Sequence, residues 1–354
     1  EICYNSKAVR EYMKKAVDVS PEYPVLIDRF LEDAFEFDVD AVSDGKQVFI
    51  GGVMEHIEEA GIHSGDSACV IPPYMISKEN LAKIKSYTVK LSKALKVVGL
   101  INVQCAIKDG AVYVIEANPR ASRTVPFVSK AIGIPLAKVA AKIMVGRTLE
   151  ELGVKDFDFQ SLKHISVKEA VFPFSKFPRV TVFLGPEMRS TGEVMGISPT
   201  FGGAVAKSQI AAGNALPNEG TVFISVNESD KNTITLNIAR DIAKLGFAIV
   251  ATEGTCKFLN EHGIAASHVY KVNEGRPNVV DQIKNKNIQL IINTPLGEES
   301  RYDEYAIGWA AIEHKIAFIT TLSAAATAVK GIERQKEESL QVKSLQEFHK
   351  EIAW

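Results

Sequence analysis

The sequence predicts an α/β protein of two lobes: an α+β lobe of strands and hairpins, then a doubly wound parallel-sheet domain. Three observations predict this. Strand and hairpin patterns run from Val25 to about Gly146, a Pro-, Gly- and Phe-rich stretch follows to about residue 215, and from Thr221 strands alternate with helices. The expected divisions are 1–147, 148–215 and 216–354, with the middle one a connecting segment that includes Phe172-Pro173-Phe174 and Phe177-Pro178.

In the first lobe Phe35, Phe37, Val39 and Ala41 alternate with Glu36, Asp38 and Asp40, the period of a half-buried strand with an acidic outer face. Ser43-Asp44-Gly45-Lys46 supplies a turn, and Gln47-Val48-Phe49-Ile50 returns as the partner strand. Leu81, Ile84, Leu91 and Leu95 recur at helical spacing, so one amphipathic helix is expected between Ser77, its N-cap, and Leu95. In the second lobe strands are expected at 221–226, 247–252, 290–293 and 317–320, and helices near 231–245, 255–262 and 303–314.

Bulk properties exclude several classes. The 354 residues carry 41 basic and 43 acidic side chains, so no whole-chain field draws the protein to nucleic acid or anionic lipid. No apolar run approaches the roughly 20 residues that span a bilayer. Cys3, Cys69, Cys105 and Cys256 lie far apart with no zinc spacing and read as reduced thiols of a cytoplasmic protein. The chain opens at Glu1-Ile2-Cys3-Tyr4 without a Met, from which an incomplete first domain is expected.

The most informative stretch is the hairpin from Gly99 to Arg120, two runs joined at Lys108-Asp109-Gly110. A three-residue loop with Gly110 left-handed sets Gln104 opposite Val114 and Asn102 opposite Glu116. Ile101, Val103, Cys105, Ile107, Tyr113, Ile115 and Ala117 then share an apolar face, and Asn102, Gln104, Glu116 and Asn118 the other. Such hard oxygen donors on the covered floor of a cleft suit Mg²⁺ shared with a triphosphate. Arg120 and Arg123 just beyond would meet a phosphoryl group or an anionic substrate.

Glu116-Ala-Asn-Pro-Arg120 resembles the metal-binding strand of the ATP-grasp superfamily, and Asn102-Val103-Gln104 the strand before it. The longer runs Glu116 to Lys130, Met54 to Ser67 and Gly185 to Gly196 resemble carbamoyl-phosphate synthetase large subunits, specifically their C-terminal part. The resemblance implies phosphorylation of carbamate by ATP with Mg²⁺ (or Mn²⁺). Arg29 and Leu31 would lie along the adenine, Glu36 would bind the ribose, and Gly61, Ile62, His63 and Ser64 would flank the phosphates. Gln104, Glu116 and Asn118 would hold the metal, with Gln104 and Glu116 also touching ATP. Arg120 and Arg123 would face carbamate and the phosphoryl group. The match begins partway through the ATP-grasp unit, so the glycine-rich loop over the phosphates is absent and the chain alone is not expected to make carbamoyl phosphate.

The second lobe resembles the methylglyoxal-synthase-like domain that ends this family. Thr252-Glu253-Gly254-Thr255 follows an apolar strand and opens a helix, a place suited to phosphate on residue chemistry alone. The resemblance adds Ser225, Lys231, Lys271 and Asn293 to Thr252 and Thr255 as a pocket for a nucleotide such as UMP or IMP. Pro295 departs from the family pattern there. It also suggests an ornithine site from Glu58, Asp66, Glu169 and Thr320, with Phe318 in place of a Tyr. The implied partners are a glutamine-hydrolysing small subunit or fused amidotransferase domain, within an oligomer. Two other classes stay open: another ATP-grasp ligase, and a non-catalytic nucleotide-sensing module.

Overall fold

The computed structural model describes residues 3, 5–19, 22, 24–31, 34–176, 182, 184–294 and 301–352. Glu1, Ile2, Phe177, Pro178 and Pro295, on which expectations were placed, lie outside the described residues.

Helix α1 (Ser6–Val19) precedes an antiparallel sheet built from β1 (Phe35–Asp44), β2 (Val48–His56), β3 (Cys69–Ile71), β4 (Val98–Lys108) and β5 (Ala111–Asn118). Helix α2 (Lys78–Ala94) lies between β3 and β4, with the Ser77 side chain accepting from the Asn80 amide as its cap. Two short helices, α3 (Val125–Ile132) and α4 (Leu136–Met144), follow β5 where one long helix alone had been expected in this lobe. They bury Val128, Ile132, Leu136 and Ile143 against Phe37, Val39, Ala41, Val103 and Cys105, which forms the core. In α4 the buried Leu136, Val139, Ala140 and Ile143 recur at helical spacing with Lys138 and Lys142 exposed, so the period was present in the sequence.

The stretch expected to be a connection does more. It contributes β6 (Ile165–Val171) and β7 (Gly192–Ser198), giving a seven-stranded order β5-β4-β1-β2-β3-β6-β7. Helix α5 (Phe201–Ala212) then packs on β6 and β7.

The second sheet has five parallel strands in the order β10-β9-β8-β11-β12. Along the chain these are β8 (Thr221–Val226), α6 (Thr233–Lys244), β9 (Ala248–Ala251), α7 (Glu253–Glu261), β10 (Ser267–His268), α8 (Val279–Lys284), β11 (Leu290–Thr294), α9 (Arg301–His314) and β12 (Ala317–Ile319). Strand β10 and helix α8 are too short to leave a period in the sequence. Helices α10 (Leu322–Glu337) and α11 (Leu345–His349) end the chain. The doubly wound class holds. Helix α10 also crosses α5 so closely that a Cβ on Gly202 would lie 2.3 Å from the Lys330 carbonyl oxygen.

Candidate active site and effector pocket

The β4–β5 hairpin differs from the expected register in an instructive way. The loop has two residues, Lys108 pairing with Ala111, and both Asp109 and Gly110 have positive φ (51° and 76°). Left unbroken, that pairing would put Gln104 and Glu116 on opposite faces. A bulge at Ile115 adds one residue, so Gln104 pairs with Glu116 and Asn102 with Asn118. The shared face of Asn102, Gln104, Glu116 and Asn118 is thereby restored by a different route. Tyr113 moves instead to the face of Ala106, its partner, away from the apolar group expected for it.

Asn118 Nδ2 donates to Glu116 Oε1 at 2.7 Å, and Gln104 Nε2 donates to Ser64 Oγ at 2.6 Å. Both amides therefore keep a carbonyl oxygen, and Glu116 its second carboxylate oxygen, for a cation. The donor set is hard oxygen, which fits Mg²⁺. Among the described residues no three His, Cys, Asp or Glu side chains group to hold a metal, so phosphate oxygens would have to complete the shell. Glu116 and Arg120 are exposed, and Gln104 and Asn118 half-buried.

The acidic alternation in β1 is not an outer face. Asp38 pairs with Gln104 and Asp40 with Asn102, and both aspartates are buried. Asp38 Oδ2 lies 3.0 Å from His56 Nε2, and Glu36 Oε2 3.5 Å from His56 Nδ1. Burial opposes charge on the His56 ring, but Cys69, Asp38 and Glu36 outweigh it and hold its pKa well above the ordinary value. Burial likewise pushes Asp38 up, and His56 and Lys168 more than reverse it, so its pKa falls. Lys168 is fully buried on β6 and donates to the Ser64 carbonyl at 3.1 Å. These buried groups were missed. The signal available was that both aspartates align with amides across the sheet.

Arg123 reaches across to the segment before β7. Its Nη1 donates to Ser190 Oγ at 2.8 Å, and its Nε lies 3.9 Å from Glu193. Its Nη2 is buried without a partner, the donor that an anionic group would take. Arg120 Nη1 donates to the neighbouring Ala121 carbonyl at 3.2 Å. Gly61, Ile62, His63 and Ser64 form the loop between β2 and β3. There the His63 ring accepts from the Gly65 amide (3.0 Å), and the His63 amide donates to the Gly185 carbonyl (2.8 Å). Arg29 and Leu31 stand on the segment before β1, which has no regular secondary structure, with Arg29 exposed.

The four residues suggested for a diamino acid do not all converge. Glu58 and Glu169 line a cavity of ≈ 30 Å³ with Gln209, Ile319 and Thr327, where the two domains meet. Asp66 is elsewhere engaged, accepting from the Arg189 and Ser190 amides at 2.8 and 2.9 Å. Thr320 follows β12, half-buried and outside the cavity lining. Burial, with Glu58 beside it, raises the Glu169 pKa to about 8. A carboxyl raised on folding costs nothing where both states are protonated, and its cost grows as pH climbs from its ordinary 4.5 to about 8. Glu169→Gln keeps an oxygen for Gln209. It is expected to stabilise the chain by about 4 kcal/mol at pH 8 and by nothing measurable near pH 4, read from melting temperatures across that range.

In the second domain Ser225, Thr252 and Asn293 stand at or just beyond the C-terminal ends of β8, β9 and β11, where ligands of doubly wound sheets collect. Ser225 Oγ and Thr252 Oγ1 are 3.1 Å apart. Thr252 caps α7 yet makes no side-chain cap bond, and Asn293 Nδ2 is buried without a partner. A Cβ on Gly254 would lie 3.1 Å from Lys231 Nζ, which places that ammonium over the start of α7. Lys231 pairs with Glu228 at 2.6 Å. Thr255 turns inward, its Oγ1 accepting from the Val226 amide. Lys271 is exposed and pairs with Glu274.

Residues 1–152 match the family described as carbamoyl-phosphate synthase L chain, ATP binding domain, and residues 235–320 the MGS-like domain. The chain is 57% identical over 351 residues to a carbamoyl phosphate synthase large chain of Archaeoglobus fulgidus, covering 99% of this chain and 32% of that one. It is 52% identical to one of Methanosarcina barkeri, covering 99% and 88%. It is 53% identical to the C-terminal section of the large chain of Aquifex aeolicus, covering 98% and 68%. The chain thus spans about a third of the length of the Archaeoglobus relative. Such identity over nearly its whole length means that it belongs to the carbamoyl phosphate synthase large-chain family, with a match to that family's ATP binding domain followed by an MGS-like domain.

Proposed function

We propose that residues 1–147, with β6 and β7, form most of the second ATP-grasp site of a longer large chain, where ATP phosphorylates carbamate to carbamoyl phosphate. The pairing of Gln104 with Glu116, with Asn118 bonded to the latter, carries this reading. It gathers three oxygen donors that a Mg²⁺-bound nucleotide can share. The unpartnered Arg123 Nη2 supports a role towards the transferring phosphoryl group, with Arg120 beside it. Glu36 would take the ribose, Arg29 and Leu31 the adenine, and the 61–64 loop the phosphates.

Residues 216–354 act as the effector domain, and the stretch 148–215 both completes the first sheet through β6 and β7 and leads into the second domain. Ser225, Lys231, Thr252, Thr255, Lys271 and Asn293 would bind the nucleotide, and the free Asn293 amide supports this most directly. Ammonia would come from a glutamine-hydrolysing small subunit or fused domain, in a cytoplasmic oligomer serving pyrimidine and arginine synthesis.

Calorimetry on this chain separates the reading from that of a nucleotide sensor. UMP or IMP is expected to bind, with affinity falling about tenfold or more in Asn293→Ala. ADP is expected to bind weakly and only with Mg²⁺. Effector binding without any Mg²⁺-dependent ADP binding would favour the sensor, and failure of both nucleotide monophosphates would remove the effector assignment.

A further inference from the structure

Asp40 lies directly beneath the loop that carries the two arginines and is fully buried. Its Oδ1 accepts from Ser122 Oγ at 2.7 Å and from Asn102 Nδ2 at 3.0 Å, and its Oδ2 accepts from Thr124 Oγ1 at 2.6 Å. Ser122 and Thr124 flank Arg123 in sequence. On the other side Arg123 is held by Ser190 and Glu193, so its loop is gripped between β1 and β7.

A purely structural carboxylate would be a poor choice here. Burial raises the Asp40 pKa to about 6, against the hydrogen bonds that lower it. An apolar residue would fill the same space without that desolvation. The behaviour of Thr124 also argues for a dedicated contact. It occupies the N-cap of α3, where a Thr side chain ordinarily satisfies the helix amides, yet it makes no cap bond and gives its hydroxyl to Asp40 instead.

We propose that Asp40 is a positioning residue for the arginine loop, fixing through Ser122 and Thr124 where Arg123 presents its guanidinium to the anionic substrate. The inference rests on the phosphorylation reading of this site. Glu116 and Gln104 are held by the strand ladder itself, so the nucleotide half of the site does not depend on Asp40.

The test is the reverse reaction in the complete large chain. In it the phosphoryl group leaves the carbamate oxygen of carbamoyl phosphate, breaking that P–O bond, and forms a new one to the β-phosphate of MgADP. Asp40→Ala is expected to lower kcat/KM for carbamoyl phosphate about 30-fold or more while KM for MgADP stays within about twofold. Ser122→Ala and Thr124→Val, which each remove one bond to Asp40 together with the bond between the two hydroxyls, are expected to lose about 3- to 10-fold each in the same parameter. Asp40→Asn keeps one accepting oxygen, and the Thr124 hydroxyl can turn to accept from its amide, so it should restore most of the activity lost in Asp40→Ala.

The inference is overturned if Asp40→Ala runs like wild type, if KM for MgADP rises in parallel, or if Asp40→Asn is as impaired as Asp40→Ala. Should Asp40→Ala not fold, Ser122→Ala and Thr124→Val decide, and wild-type kinetics in both overturns it. Arg123→Ala keeps the two readings apart. If it too runs like wild type, the role proposed for Arg123 fails; if it is inactive while Asp40→Ala is not, only the positioning role is lost.

Discussion

Glu116→Gln in the complete large chain is expected to reduce ATP formation from carbamoyl phosphate and MgADP about a thousandfold. The reason lies in the composition of the donor set. Gln104 and Asn118 offer neutral oxygens, and Glu116 supplies the only full negative charge among the three. The substitution preserves shape, and its amide oxygen can still accept from Asn118 Nδ2, the bond that Glu116 Oε1 makes now. The hairpin should therefore survive, with an unchanged melting temperature, while the cation loses its strongest anchor. A variant retaining more than a tenth of wild-type turnover at saturating Mg²⁺ would show that the metal is held elsewhere.

Gly196→Ala is expected to be the most damaging single-methyl change to the fold. A Cβ at Gly196 would stand 2.0 Å from the Ala204 carbonyl oxygen and 2.5 Å from the Ser208 amide nitrogen, both in the backbone of α5. No side-chain rotation relieves contacts with a helix backbone, so β7 or α5 must shift. The cost is about 3 kcal/mol or more, visible as a drop of several degrees in melting temperature. Gly192 in the same strand is the control. Its Cβ would meet only Val171 at an ordinary 3.7 Å, so Gly192→Ala should melt within about a degree of wild type. Equal losses in the two variants would mean that β7 does not pack against α5 as described.

Much of this architecture was legible in the residues. The α2 cap at Ser77 and the parallel second sheet follow from periodicity and turn chemistry, which are local properties, whereas the oxygen-bearing face of the hairpin was expected from a turn that the structure does not have. What escaped was decided at a distance. The acidic alternation of Glu36, Asp38 and Asp40 matches that of a solvated strand, and only pairing with Asn102 and Gln104 on β4 shows that the two aspartates are internal. The bulge at Ile115 has no turn residue to mark it. Strands β6 and β7 were obscured by flanking Pro and Phe, and the block from Gly185 to Gly196 served as a family signature before its contacts with His63, Asp66 and Arg123 were visible.

The extra residue in β5 separates two jobs within one ribbon. On the tip side, spacing obeys the tight reversal at Asp109-Gly110; on the inner side, it obeys the neighbouring β1, which fixes β4 and through it Glu116. Ile115 works as a slip joint between them, so a tight reversal at the tip and a single oxygen-bearing inner face coexist in one hairpin.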